Sequence, residues 1–134
     1  MAVSSLDTSL IIRVIVNDDS DKRLKVLELL SEDNHIFHIF TPALMETIYV
    51  LEKVYGLPRA DIINKLAFFL ERFSDNLIYD RHLTKVAFPM YLKNTQLSFG
   101  DCLLSACAEV SNAEPLFTFD KDLSKKSASA KLLV

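Results

Sequence analysis

The feature that most constrains this chain is an alternation. Short apolar runs of strand length are separated by longer stretches whose apolar residues recur with helical spacing. Residues 3–6 form the first run and end at Asp7, after which Leu10, Ile11, Val14 and Ile15 mark one face of a helix. Leu24, Val26, Leu27 and Leu30 give a second helix, with N-cap candidates among Asp18, Asp19, Ser20 and Asp21. Residues 35–40 read as a second strand, and Thr41-Pro42 as the N-cap and first position of a helix carrying Leu44, Ile48, Leu51 and Tyr55. Gly56-Leu57-Pro58 stops it, and Ile62, Ile63, Leu66, Phe69 and Leu70 describe the next helix. Residues 76–79 predict a third strand, and residues 83–93 a helix that Pro89 is expected to kink or interrupt. Ser98-Phe99-Gly100-Asp101 opens a helix with Leu103, Leu104, Cys107, Ala108 and Val110. Residues 115–119 form a fourth strand ending at Asp120, and residues 131–134 a fifth at an edge.

Strands alternating with helices imply right-handed crossovers and parallel pairing, with both sheet faces covered. The expected class is α/β, a three-layer α/β/α fold with a mainly parallel four- to five-stranded central sheet. A chain of 134 residues, half of them apolar, with two glycines and four prolines, leaves no room for a linker and predicts a single domain over 1–134. Cys102 and Cys107 lie about 140° apart around one helix, which rules out a disulfide between them and fits reduced thiols in a cytoplasmic protein. The start of the chain lacks the basic-then-apolar pattern of a signal peptide. Residues 10–16, the most apolar segment, are broken by Arg13 and fall far short of the roughly 20 residues of a membrane span. A soluble protein with no membrane contact follows. The formal net charge of −3 argues against unselective electrostatic binding of nucleic acid.

In folds of this class, chemistry gathers where strand C-termini meet helix N-termini. Four acids fall there: Asp7 and Asp120 at strand ends, Asp101 in the first turn of one helix, and Glu46 near the start of another. Glu46 lies about 200° round its helix from Leu44, clear of the apolar stripe. Four carboxylates brought together repel one another unless a cation neutralises them. An all-oxygen donor set, with no His or Cys beside it in sequence, points to Mg²⁺ or Mn²⁺ rather than zinc. Ions held this way promote in-line displacement at phosphorus, which makes phosphodiester hydrolysis the natural reaction class. Each acid also has a local use. Asp7 is a candidate N-cap, Asp101 pairs with Ser98 in capping-box spacing, Glu46 suits a solvated helix face, and Asp120 suits a turn.

The whole chain resembles the PIN-domain family, and specifically the VapC-type toxins of toxin–antitoxin pairs. The resemblance rests on Leu-Asp-Thr-Ser-Leu-Ile-Ile-Arg at 6–13, Ala-Leu-Met-Glu-Thr-Ile-Tyr-Val-Leu at 43–51, Phe-Gly-Asp-Cys-Leu-Leu at 99–104 and Leu-Phe-Thr-Phe-Asp-Lys-Asp-Leu at 116–123. It implies metal ligation by Asp7, Glu46, Asp101 and Asp120, with Thr8 or Ser9 and Thr118 hydrogen-bonding nearby to orient them. It also implies endonucleolytic cleavage of RNA, a cognate antitoxin whose apolar docking surface lies on the early helices and around residues 52–63, and a homodimer.

Arg13 and Lys121, with Lys125 and Lys126, are candidates to meet RNA phosphates. Phe99 and Tyr49 are expected in the core rather than stacked on bases. His35 and His38 point to opposite faces of a strand and are assigned structural roles. Two other functions remain open on these residues: a PIN nuclease of RNA processing that has no antitoxin, and a metal-free interaction module on the same fold.

Overall fold

The computed structural model describes residues 1–134, which divide into two compact units, Met1–Tyr79 and Asp80–Val134. The first unit is built as strand, two helices, strand, two helices, strand: β1 (Ala2–Ser5), α1 (Thr8–Ile15), α2 (Ser20–Leu30), β2 (His35–His38), α3 (Thr41–Lys53), α4 (Arg59–Arg72) and β3 (Leu77–Ile78). All pairings are parallel, in the order β1-β2-β3, with Val3 opposite Ile36 and Phe37 opposite Leu77. The helix pairs between successive strands are the crossovers that parallel pairing requires. Ile11, Leu30, Phe37, Ile48, Leu51, Ile62 and Leu66 are each at most 1 % exposed and form the core of this unit. On α3 and α4 these fall on the stripes read from sequence. The four side chains of β1 are exposed, so the expected cover on both faces is not met at this strand.

Helix starts follow local chemistry. Asp7 caps α1 and Asp19 caps α2, each carboxylate accepting an amide hydrogen bond from the first turn. The N-cap of α3 is Phe40, one residue earlier than expected, and it makes no side-chain cap; Thr41 and Pro42 are already helical. Pro42 lacks the N–H that a cap would satisfy, so the helix starts without one. Gly56, at φ 65°, turns the chain out of α3 in a conformation costly for other residues.

The second unit comprises α5 (Arg81–Lys93), α6 (Phe99–Val110), β4 (Leu116–Thr118), α7 (Lys121–Lys126) and β5 (Ala130–Leu132). Helices α5 and α6 pack together, with the small residues Ala87, Cys102 and Ala106 fully buried, and the Tyr91 ring stands edge-on to Phe99 at 5.4 Å. Helix α5 runs on through Pro89 instead of stopping there. Tertiary packing against α6 offsets the one intrahelical bond that proline removes. β4 and β5 pair in parallel, with Phe117 opposite Lys131. The five expected strands are therefore present and wholly parallel, hydrogen-bonded as a three-stranded and a two-stranded sheet rather than one continuous sheet. α7 was not anticipated from the sequence.

Neither cysteine forms a disulfide. No helix is long and apolar enough to cross a membrane.

Candidate functional site

In the first unit the candidate acids follow the C-terminal ends of β1 and β2. Asp7 comes two residues after β1 and takes an extended backbone conformation as N-cap of α1. One of its oxygens accepts from the Ser9 amide at 3.2 Å and from the Ser9 hydroxyl at 2.7 Å. Both donors favour the charged form. The Ser9 hydroxyl first, and then its amide, hold the Asp7 carboxyl below the usual carboxylate range, with burial opposing weakly.

Thr8, the next residue, is 6 % exposed and aims its hydroxyl at α3. That hydroxyl lies 3.2 Å from the Ala43 carbonyl oxygen and 3.2 Å from Oε2 of Glu46, so one proton serves two acceptors. Glu46 itself is exposed, in keeping with its position off the apolar stripe. Asp7 and Glu46 are thus linked through a single residue, adjacent to one in sequence and hydrogen-bonded to the other.

In the second unit Asp101 occupies the third position of α6 and completes a capping box. Its amide donates to Ser98 Oγ at 3.1 Å, and its Oδ2 accepts from the Ser98 amide at 3.4 Å. Asp120 caps α7, its Oδ1 accepting from the Leu123 amide at 3.1 Å, while its own amide donates to Thr118 Oγ1 at 2.9 Å. The hydroxyl residues singled out by resemblance therefore all touch a candidate acid: Ser9 binds Asp7, Thr8 binds Glu46, and Thr118 binds the backbone of Asp120.

The side-chain hydrogen bonds above engage one oxygen of each of the four carboxylates, and none forms a salt bridge. Carboxylate oxygens suit a hard cation, so the donor chemistry fits Mg²⁺ or Mn²⁺. Neither unit by itself gathers three or more His, Cys, Asp or Glu side chains that could hold a metal.

Arg13 is engaged with Asp18 at 2.9 Å, and Lys121 is exposed at the first position of α7. His35 bridges Ser4 Oγ at 2.9 Å and Glu32 at 2.8 Å and stacks on Phe37, whereas His38 stacks on Phe40. Phe99 is in the core as expected, but Tyr49, also expected there, is 61 % exposed on α3. The step from Leu44 to Ile48 to Leu51 defines the buried stripe, and Tyr49 falls outside it.

Two concave surfaces of the first unit escaped the sequence reading. One, of about 560 Å³, runs among α1, α2 and α4, floored by Val14, Ile15, Leu27 and Phe69 and rimmed by Arg23, Lys65 and Arg72. Phe68 beside it is 73 % exposed. The other, of about 410 Å³, lies between α1 and α2 and includes Lys22 and Lys25. Their signal was in the sequence: Lys22, Lys25, Val26 and Leu29 share one helical face, and Arg23 and Leu27 another.

Among curated proteins none matches the chain. Among solved structures, the crystal structure of VapBC2 from Rickettsia felis bound to a DNA fragment from their promoter matches with a TM-score of 0.41 and 18 % sequence identity. The match covers 98 % of this chain and 97 % of that one, at a level of likeness that carries no functional weight. A model of the PIN domain family matches residues 5–128 and takes in all four candidate acids together with Thr8, Ser9 and Thr118. With nearly its whole length matched, the chain belongs to the PIN domain family.

Proposed function

We propose that the protein is a divalent-cation-dependent endoribonuclease, the toxin of a VapC-type toxin–antitoxin pair, with residues 1–134 acting as one domain. PIN domains are generally nucleases, and the observation that carries the reading is the state of the four acids in this one. Asp7, Glu46, Asp101 and Asp120 each have a carboxylate outside any salt bridge and a serine or threonine partner, as ligands of a hard cation need.

Asp7, Glu46, Asp101 and Asp120 are the proposed ligands of Mg²⁺ or Mn²⁺. The bound ion supplies Lewis acidity and charge compensation for in-line displacement at phosphorus. The chain's own residues do the rest. Ser9 favours the ionised form of Asp7 and fixes its orientation, and the Thr8 hydroxyl orients Glu46 from α1. Asp101 or Asp120 is also the candidate general base for the attacking water, through a carboxylate lone pair that the cation does not take. Arg13 and Lys121 are the proposed contacts to phosphates of the RNA.

The antitoxin is assigned to the groove among α1, α2 and α4. An aliphatic and aromatic floor with three cations on its rim suits an amphipathic segment with acidic flanks. The sequence reading sought this surface on the early helices and around residues 52–63; the groove uses α1, α2 and the body of α4. A homodimer and a cytoplasmic location complete the proposal, the latter in keeping with two cysteines that form no disulfide.

The test is cleavage of a mixed structured-RNA pool by the purified protein, with and without millimolar Mg²⁺ or Mn²⁺, beside Asp7→Asn and Asp101→Asn. Metal-dependent cuts lost in both variants are expected. Equal behaviour of wild type and variants would make the acids simple caps and return the protein to a binding role. Inhibition by the product of an adjacent small gene, weakened by Phe68→Asp, tests the antitoxin. Light scattering tests the dimer.

A further inference from the structure

We infer that the cleft between α1 and α2 is a binding groove for the phosphate backbone of single-stranded RNA, with Lys22 and Lys25 as its phosphate contacts. The inference rests on the nuclease reading and extends it to how the substrate strand is held.

Helix α1 presents Ser9, Leu10 and Arg13 to this cleft, and α2 presents Lys22, Lys25, Val26 and Leu29. On α2 those positions recur at steps of three, one and three, so the two lysines and the two apolar residues share one face. No carboxylate lines the cleft, although the chain carries more acidic than basic residues overall. The charged side chains that line it are therefore all cationic and suit an anion. Arg13 pairs with Asp18, which also accepts from the Tyr55 hydroxyl at 3.3 Å. Lys22 and Lys25 are exposed and make no ion pair, so they add two unpaired cations beside Arg13.

The cleft also has a direction. Ser9 lines it and at the same time holds Asp7 through the 2.7 Å hydroxyl bond. A strand that meets Asp7 therefore lies beside a residue of the cleft lining. The floor is narrow and aliphatic, with no aromatic ring on which a base would stack. Such a groove follows the backbone and adds affinity without reading sequence. An acidic protein segment is less suited to it than to the larger groove. The larger groove supplies the aromatic floor and uses Val14, Ile15, Arg23 and Leu27, sharing no lining residue with the cleft.

The experiment uses the full chain, a fluorescent unstructured RNA 20-mer and no divalent ion, with binding measured over a series of salt concentrations. Each phosphate contact to a single strand contributes about 0.7 to the slope of log affinity against log salt. Lys22→Ala/Lys25→Ala is therefore expected to lower the slope by about 1.4 and weaken binding about 25-fold at 0.1 M salt. Lys22→Glu/Lys25→Glu weakens it further. Lysine acetylation of the wild type provides a readout independent of any variant: bound RNA should shield Lys22 and Lys25.

If wild type binds and cuts RNA, but the slope is unchanged and the lysines stay reactive, the groove assignment is overturned and the nuclease reading stands. If wild type neither binds nor cuts, both fall together. Shielding by polyglutamate but not by RNA also overturns the groove, in favour of a protein occupant.

Discussion

Replacing Thr8 by valine removes one hydroxyl and keeps its shape, and the surroundings of that hydroxyl set what the change costs. The side chain is 6 % exposed, so the valine methyl enters a site already filled and leaves no cavity. The hydroxyl lies 3.2 Å from both acceptors, at the long end of the range for an O–H donor, with one proton between them. Neither acceptor is orphaned when it goes. The Ala43 carbonyl still receives the Thr47 hydroxyl at 2.7 Å, and the exposed Glu46 carboxylate turns to water. The penalty of about 1–3 kcal/mol for an unsatisfied buried group therefore does not apply, and only the net worth of one weak bond is lost. Thr8→Val should cost about 0.5–1 kcal/mol, whereas Thr8→Ala, which also deletes a packed methyl, should cost about 2 kcal/mol.

Urea denaturation of Thr8→Val, Glu46→Gln and the double variant closes a cycle that isolates the Thr8–Glu46 bond from the Thr8–Ala43 bond. Because Glu46 is exposed, the coupling should be no more than about 0.5 kcal/mol. Cleavage should fall more than stability does, since the bond orients a proposed ligand. A loss above about 3 kcal/mol in Thr8→Val would refute the reasoning, because it would require an acceptor left buried and unpaired. A coupling well above about 0.5 kcal/mol would refute the placing of Glu46 in solvent.

Ser9→Ala should raise the Asp7 pKa toward its ordinary value, read from the carboxyl carbon shift in an NMR titration. The sign for stability follows from the depressed folded-state pKa. The Ser9–Asp7 contribution is complete above the unfolded-state value, is lost as pH falls through the lower folded-state value, and should be missing from the acid limb of the variant. Ser98→Ala removes the acceptor for the Asp101 amide and should cost about 1 kcal/mol in thermal or urea unfolding, while Ser98→Asp should restore most of it. Leu51→Ala, at a site with no exposure, should cost about 2–5 kcal/mol, with a smaller loss at the half-buried Leu57.

Periodicity exposed most of the fold because each apolar stripe has one face to bury. Leu44, Ile48 and Leu51 on α3, and Ile62, Ile63, Leu66, Phe69 and Leu70 on α4, all lie in the core, where their spacing placed them. The parallel pairing followed from the intervening helices. α7 escaped because it is six residues long, with Leu123 its only buried side chain, so it shows no period. Its marks were chemical: Asp120 as cap, Asp122 in the first turn, and Lys125 and Lys126 in the last. Pro89 misled for the opposite reason, since a local rule yielded to packing of α5 on α6. The break between β3 and β4 pairing was beyond reach, because alternation reveals that strands are parallel but not which edges join. At the acids, sequence gave identity and position along each element; Thr8 reaching Glu46 across 38 residues is a tertiary fact.

The local and the chemical uses of these acids reinforce each other. A cap needs a carboxylate at a helix N-terminus with one oxygen turned inward to amide hydrogens. That arrangement fixes the side-chain torsion and directs the second oxygen away from the helix. Asp7, Asp101 and Asp120 each engage one oxygen with backbone amides. Capping thus prepays the conformational restriction that a cation would otherwise impose on a mobile side chain. Glu46 is the exception. It lies in the second turn of α3, beyond reach of the orphan amides, and depends on the Thr8 hydroxyl from another helix for the same restraint. Of the four acids, its orientation is therefore the most easily disturbed by a change elsewhere in the chain. Thr8→Val should impair cleavage by loosening Glu46 alone, whereas changes at Ser9 or Ser98 alter ligand and helix end together.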